Sequence, residues 1–223
     1  LHPRVRRQRQ MCIRDRYRGV TMIKLNTEYL KQIFTKYDYI MTTAQLNLEK
    51  LYYRDIQQML KKGMIEKVKR GYYHWIEDND CKEVVIINKL FPDAILCMET
   101  ALFYYSYSDR NPAEWHIAID KNASRQRTKI DYPFVRAYRI ESDLLLIGET
   151  KGEIDFTPVR IYDRDRTMCD VLKNMNKMDR EIFNKSIQGY VKDPQKNIPN
   201  LMRYAKELLS LIHISEPTRH AQI

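Results

Sequence analysis

The pattern that most constrains the fold lies in residues 27–76, where three short helical segments are followed by a basic hairpin. From Thr27 to Lys36, four apolar residues recur at the spacing of one helix face: Tyr29, Leu30, Ile33 and Phe34. Asn26 or Thr27 is placed to cap the free amides at the start of this segment. We therefore predict a first amphipathic helix over Thr27–Lys36.

Two more helices are predicted before residue 63. Thr42 and Thr43 offer hydroxyl caps to a short helix through Ala44, Gln45 and Leu46, which a turn at residues 47–49 follows. Residues 51–62 then separate into an apolar face and a polar face. The inward set comprises Leu51, Ile56, Met59 and Leu60. Gly63 ends this third helix, as glycine commonly does at a helix C-terminus.

Residues 64–76 alternate like two strands joined by a tight turn. The first strand is predicted over residues 64–69, the turn at Arg70 and Gly71, and the returning strand over residues 72–76. Three short helices and a basic hairpin, in this order, predict a winged helix-turn-helix. We assign residues 22–79 to this domain.

In such a domain the third helix enters the major groove of DNA, where Arg and Gln pair with base edges, and the wing meets phosphates. The candidate DNA-binding residues are Thr43, Tyr52, Tyr53, Arg54, Gln57, Gln58, Lys61, Lys67, Lys69, Arg70 and Tyr72. The alternative is a winged helix used only for protein contact. We expect double-stranded DNA to be the partner.

Both ends of the chain differ from its middle. Residues 6–16 (RRQRQMCIRDR) and 209–219 (LSLIHISEPTR) look like translated sequencing adapters, so residues 1–21 and 211–223 are assigned as adapter-derived tails and Met22 as the expected native start. A natural basic arm is the alternative.

The tails hold 8 of the 39 basic and 2 of the 29 acidic residues, which leaves residues 22–210 with a formal net charge of +4. Residues 50–75 carry seven Lys or Arg against two acidic residues, so the basic surface is local.

The remaining residues, 80–210, form a second domain after a polar boundary at residues 77–80. The longest apolar run, 144–147, is far too short for a membrane span, and no charged, apolar, small-residue pattern marks a secretory signal in the sequence. We expect a cytoplasmic protein with no membrane partner.

The body of the chain contains three cysteines without C-x-x-C spacing: Cys81, Cys97 and Cys169. We expect them to be buried, reduced thiols.

Helical and strand patterns mix in the second domain, which makes the predicted fold class α+β. A helix is predicted over residues 83–90, a short strand over 94–97, and further strands over 114–120, 134–139 and 154–162, with a hairpin turn at Lys151 and Gly152. The domain is expected to end in three helices, over residues 166–175, 179–191 and 198–208, the last capped by Asn197.

Several strings in this order resemble the AbiEi antitoxin family. They are residues 69–73 (KRGYY), 98–102 (METAL), 108–112 (SDRNP), 115–117 (WHI) and 159–170 (VRIYDRDRTMCD). The resemblance covers nearly all of residues 25–208. It implies an antitoxin of a type IV toxin-antitoxin, or abortive phage infection, system. The N-terminal domain would repress its own promoter at inverted repeats, and the second domain would counter a nucleotidyltransferase toxin without needing to bind it.

Six residues of the second domain match family positions and are the candidates for antitoxin function: Glu99, Thr100, Asp109, Asp163, Arg166 and Asp170. Each also has a structural interpretation. Glu99 or Thr100 would cap a helix, and Asp163, Arg166 and Asp170 would form an ion pair along one helix face.

An enzyme is the competing hypothesis, because strands with scattered carboxylates occur in nucleases and nucleotidyltransferases. The sequence lacks a Gly-Ser followed by paired Asp, a Gly-rich phosphate loop, and an acidic-x-Lys element after Pro92-Asp93. His116 falls in an apparent strand, where packing is the commoner role. We expect no enzyme activity, no cofactor and no metal. A stand-alone regulator whose second domain binds a ligand or protein partner stays open.

Overall fold

The computed structural model of the chain describes residues 26–76, 82–130 and 132–210. Residues 26–76 form three helices and a three-stranded antiparallel sheet of order β1-β3-β2. Their bounds are α1 Thr27–Lys36, β1 Ile40–Thr42, α2 Thr43–Leu48, α3 Tyr53–Lys61, β2 Ile65–Lys69 and β3 Tyr72–Trp75. This is the arrangement of a winged helix-turn-helix.

Side-chain caps begin all three helices. The carboxamide oxygen of Asn26 accepts from the Glu28 amide at 3.1 Å. Thr42 and Gln45 form a capping box, in which each side chain accepts from the other residue's amide, at 3.2 and 2.8 Å. At α3 the Asp55 carboxylate accepts from the Tyr52 amide at 3.0 Å. These local bonds set the three helix starts.

The core of this domain joins its helices to its sheet. Phe34 of α1 packs against Trp75 of β3, with ring centroids 5.2 Å apart, and both are fully buried. Ile56 and Met59 bury the inner face of α3 in the same cluster. The predicted helices and hairpin are confirmed, and β1 is an element that the sequence analysis did not predict.

The second domain contains a five-stranded mixed sheet of order β6-β5-β4-β8-β7. Its strands are β4 Ile95–Leu96, β5 Trp115–Asp120, β6 Val135–Ile140, β7 Glu149–Ile154 and β8 Thr157–Tyr162. Pairing is parallel for β5 with β6 and for β4 with β8, and antiparallel for β4 with β5 and for β7 with β8. The α+β class is confirmed.

Six helices and two 3₁₀ turns accompany this sheet in the described residues. They are α4 Glu83–Leu90, α5 Met98–Tyr104, α6 Ser142–Leu145, α7 Arg164–Lys173, α8 Arg180–Lys192 and α9 Ile198–Ser210, with 3₁₀ turns at Arg125–Thr128 and Met175–Lys177. Asn197 caps α9 by accepting from the Asn200 amide at 3.1 Å, as predicted. The three closing helices are confirmed within a few residues, whereas α5 and α6 were not predicted as helices.

The hairpin turn predicted at Lys151 and Gly152 is wrong. Both residues lie inside β7, and the chain reverses at Asp155 and Phe156, which have φ of 50° and 63°. Positive φ at both central residues is what a type I′ hairpin turn of two residues requires. Gly152 serves packing instead, because a Cβ there would lie 3.0 Å from the Tyr104 hydroxyl and 3.1 Å from Ile161 Cγ2.

The winged helix and the second domain share one apolar cluster. Ile40 of β1 and Val68 of β2 belong to the same buried cluster as Val84 and Ile87 of α4, and Phe91 after α4. Lys89 adds an ion pair to Asp38 at 3.0 Å. The second domain is therefore packed directly against the sheet of the winged helix.

Some expectations fall on residues that the structure does not describe: the two tails, the start at Met22, the boundary at residues 77–80, and Cys81. Cys97 and Cys169 are buried free thiols, as expected. Across the three described ranges, every helix is too short or too polar to cross a bilayer.

Candidate nucleic-acid interface

The outer face of α3 carries the polar residues that the sequence analysis assigned to base reading. Arg54, Gln58 and Lys61 recur at i, i+4 and i+7, so they lie on one side of the helix, and all three are exposed. Gln57 is half-buried beside them, and Tyr53 is 75% exposed. Among the described residues, none of Arg54, Gln57 and Gln58 has a side-chain hydrogen bond or ion pair. Their donors and acceptors are free to meet a ligand.

Residues beside α3 have mixed roles. Tyr52, just before the helix, is 47% exposed. Thr43 begins α2 and ties it to the wing, because its amide donates to the Gly71 carbonyl at 2.9 Å and its hydroxyl to the same oxygen at 3.4 Å. Tyr72 packs against the apolar cluster shared with the second domain. Thr43 and Tyr72 thus position the hairpin relative to the helices.

The basic residues of the wing differ in their surroundings: two are exposed to solvent, and one contacts the second domain. Lys67 and Arg70 are exposed. Lys69 instead donates from its ammonium group to the Arg127 carbonyl of the second domain and lies 5.5 Å from the Phe91 ring centroid. Burial, and then the positive charge of Arg127, lower the pKa of Lys69. The phosphate contact expected of Lys69 therefore has a competing structural role.

A bulge in β2 explains the position of Lys69. In a regular strand Lys67 and Lys69 would share one face. The register shifts between them, so that Lys67 pairs with Tyr73 and Lys69 with Tyr72. Such an irregularity turns the following side chain away from the face that simple alternation predicts.

Asp163, Arg166 and Asp170 all make contacts within the second domain. Asp163 caps α7 by accepting from the Arg166 amide at 2.7 Å, and its second oxygen accepts from the Tyr204 hydroxyl at 2.8 Å. Arg166 is 1% exposed and pairs with Asp170 at 3.2 Å. The predicted ion pair on one face of α7 is present, and it is buried.

Arg166 also holds the chain segment before β7. Its guanidinium donates to the carbonyls of Leu144 and Ile147, each at 3.0 Å, and lies 4.5 Å from the Tyr162 ring centroid. Gly148, at φ 76°, sits so close that a Cβ there would be 2.5 Å from Arg166 Cβ. Arg166 therefore fastens α6, β8 and α7 together.

The other three candidates differ in accessibility. Thr100 is buried and accepts from the His116 amide at 2.8 Å, and Glu99 is half-buried, with a pKa raised by burial. Neither caps a helix, because both lie inside α5, so that structural interpretation is wrong. Asp109 is exposed and pairs with Lys185 at 2.9 Å. Glu99 and Asp109 are the two that a partner can reach.

His116 is a buried neutral imidazole. It is 2% exposed, and its Nδ1 accepts from the Glu99 amide at 3.3 Å. Burial, reinforced by the charge of Arg136, lowers its pKa from 6.5 to about 4. Nowhere in the described ranges do three or more His, Cys, Asp or Glu side chains gather as a metal-binding group.

The pKa of His116 gives a pH prediction. Because the unfolded chain binds the proton more tightly, stability is full above pH 6.5 and falls as the pH drops from 6.5 towards 4. We expect this group to remove about 2 kcal/mol of unfolding free energy between pH 7 and pH 5. Urea melts of the protein and of His116→Gln at both pH values measure it. Equal pH dependence in the two proteins would contradict the assignment.

Comparison of the sequence with models of known protein families, and with curated proteins, finds no match to either. The resemblance to AbiEi antitoxins thus remains a hypothesis carried by the residue strings. One segment beside the wing, residues 125–129 (RQRTK), is absent from the predicted DNA-binding residues, although its three cations in five positions are a visible signal.

Proposed function

We propose that this protein binds double-stranded DNA through α3 and the β2–β3 hairpin and acts as a transcriptional regulator. One observation carries the proposal: the outer side of α3 presents exposed Arg54 and Gln58 and half-buried Gln57, whose side chains bond to no described residue, while Ile56 and Met59 bury the other side. Arg pairs with guanine and Gln with adenine in the major groove. Lys67 and Arg70 on the wing would contact phosphates and position the helix.

The finer proposal is an autorepressor and antitoxin of a type IV toxin-antitoxin system in the cytoplasm. It rests on the likeness of residues 98–102, 108–112 and 159–170 to AbiEi antitoxins. Glu99 and Asp109 are the reachable candidates for antitoxin function, since Thr100, Asp163, Arg166 and Asp170 are engaged in the fold. The toxin would be a nucleotidyltransferase that need not bind this chain.

A promoter fusion tests regulation. The DNA upstream of this gene drives a reporter while the protein is supplied in trans, either unchanged or as Arg54→Ala. We expect repression by the unchanged protein and its loss in the variant, at equal protein levels. Reporter output that is indifferent to the protein would refute autoregulation at that promoter.

Co-expression tests the antitoxin. The adjacent reading frame is induced with and without this protein, and growth is followed. If the neighbour is a toxic nucleotidyltransferase-like protein, rescue of growth by this protein supports the proposal. A harmless or unrelated neighbour favours a stand-alone regulator.

A stand-alone regulator would bind a small ligand in the second domain. A cleft of about 870 Å³ there, lined in part by Tyr138, Arg139, Lys173 and Asn174, is the place for such a ligand.

Two lysines on β2 give a paired prediction. Lys67→Ala should weaken binding to every DNA sequence and lower the slope of log affinity against log salt by about 0.9, because one phosphate contact is lost. Lys69→Ala should leave that slope nearly unchanged, because its ammonium group bonds to Arg127. Anisotropy titrations at several salt concentrations compare them. Equal slope losses would show that Lys69 leaves the Arg127 carbonyl and contacts DNA.

A further inference from the structure

A basic groove of about 680 Å³ lies between the wing and the 3₁₀ turn of the second domain. Five cations line it, Lys67, Lys69 and Arg70 from the wing and Arg127 and Lys129 from the second domain, and no acidic residue is among its lining. One wall therefore belongs to the winged helix and the other to the second domain.

The second wall is held in a fixed place. Arg127 forms a two-point ion pair with Asp93, and its carbonyl accepts from Lys69 of the wing. Arg139 supports the same loop by donating to the carbonyl of Ala123 at 2.6 Å. The position of the 3₁₀ turn relative to the wing is thus determined by hydrogen bonds from both domains.

Positive charge in the groove exceeds what the protein neutralises. Asp93 pairs with Arg127, but Lys67, Arg70 and Lys129 are exposed and form no ion pair with any described residue. Lys69 forms no ion pair with a described residue, and burial, followed by the like charge of Arg127, lowers its pKa. A groove whose cations are neutralised only in part attracts anions.

We propose that this groove takes the sugar-phosphate backbone of the duplex that α3 reads, so that Lys129 of the second domain contacts DNA phosphate. The inference rests on the proposed function. A row of cations along two walls fits a repeating phosphate chain, and its continuity with the wing places it beside the helix that enters the major groove. The second domain then lengthens the DNA-binding surface of the winged helix.

Charge substitution at Lys129 tests this in the full chain. Lys129→Ala should weaken binding to specific and unrelated duplexes alike and reduce the slope of log affinity against log salt by about 0.9. Lys129→Glu should weaken binding to the two duplexes further. Lys177→Ala is the matched control, because Lys177 is an exposed lysine on the other 3₁₀ turn. Unchanged circular dichroism spectra would confirm that the variants fold.

The outcomes separate the two proposals. If Lys129 variants bind like Lys177→Ala while Arg54→Ala loses sequence preference, the groove contact is refuted and base reading by α3 stands. If the unchanged protein binds no duplex, both proposals fall. If Lys129 variants lose affinity for single strands only, the groove holds a single strand and the duplex contact is refuted.

Discussion

Replacing Arg166 with methionine is expected to cost about 3–5 kcal/mol of unfolding free energy, because it leaves a buried carboxylate without its partner. Arg166 is 1% exposed, and Asp170 is buried beside it at 3.2 Å. Two backbone carbonyls, of Leu144 and Ile147, also lose their donor. Burial already raises the pKa of Asp170, so the unpaired carboxylate would take up a proton or open the structure.

Urea denaturation followed by circular dichroism measures this loss. Arg164→Met is the matched control, since the Arg164 pair with Asp193 is partly exposed and should cost at most about 1 kcal/mol. If Arg166→Met fails to fold, the double variant Arg166→Met, Asp170→Leu should recover a folded protein, because it removes the buried charge altogether. A stability loss no greater than that of Arg164→Met would contradict the structural role.

The same variants bear on the resemblance to AbiEi antitoxins. If the proposed antitoxin function holds, a stable Arg166→Met, Asp170→Leu protein that still protects cells from the proposed toxin would show that these two positions serve folding alone. A stable double variant that no longer protects would assign them a direct part in antitoxin function.

Replacing Arg54 and Gln58 together with alanine is expected to remove most of the preference for specific DNA. Both are exposed on the same side of α3, four residues apart. Each well-aligned contact to a base edge contributes about 1–3 kcal/mol of discrimination, so the pair should contribute about 2–6 kcal/mol. Binding to unrelated DNA should fall much less, because the wing, which is proposed to contact phosphates, is unchanged.

The matched control is Arg180→Ala with Gln188→Ala on α8, which changes the same residue types and the same net charge at exposed positions. Competition titrations with specific and unrelated duplexes measure the ratio of the two affinities. A ratio that falls equally in both double variants, or in neither, would show that α3 does not read the sequence.

The sequence predicted the winged helix well because its signals are local. The capping box at Thr42 and Gln45, the apolar period of α1 and the glycine after α3 each act within a few residues. Strand β1 escaped prediction because three residues, Ile40–Thr42, are too few to show a period. It is defined by its pairing with β3, which no local pattern reveals.

The errors share a cause in long-range packing. The sequence pattern predicts a turn at Gly152, but this glycine makes room for Tyr104 from α5, and the turn falls at Asp155 and Phe156. The pattern of β2 predicts that Lys69 contacts phosphate, but a bulge turns Lys69 towards Arg127. Tyr104 and Arg127 are both distant in sequence from the residues they contact here, Gly152 and Lys69. A local sequence pattern therefore cannot predict either contact.

Equilibrium binding of the chain to its own upstream DNA tests the central claim most directly. The tails at 1–21 and 211–223 should be removed, because they hold 8 of the 39 basic residues and would bind DNA without specificity. A labelled upstream duplex is titrated across a salt series, with an unrelated duplex of equal length as competitor. We expect a preference of about a thousandfold or more for the upstream duplex. Equal affinity for both duplexes at every salt concentration would contradict a DNA-reading function for α3.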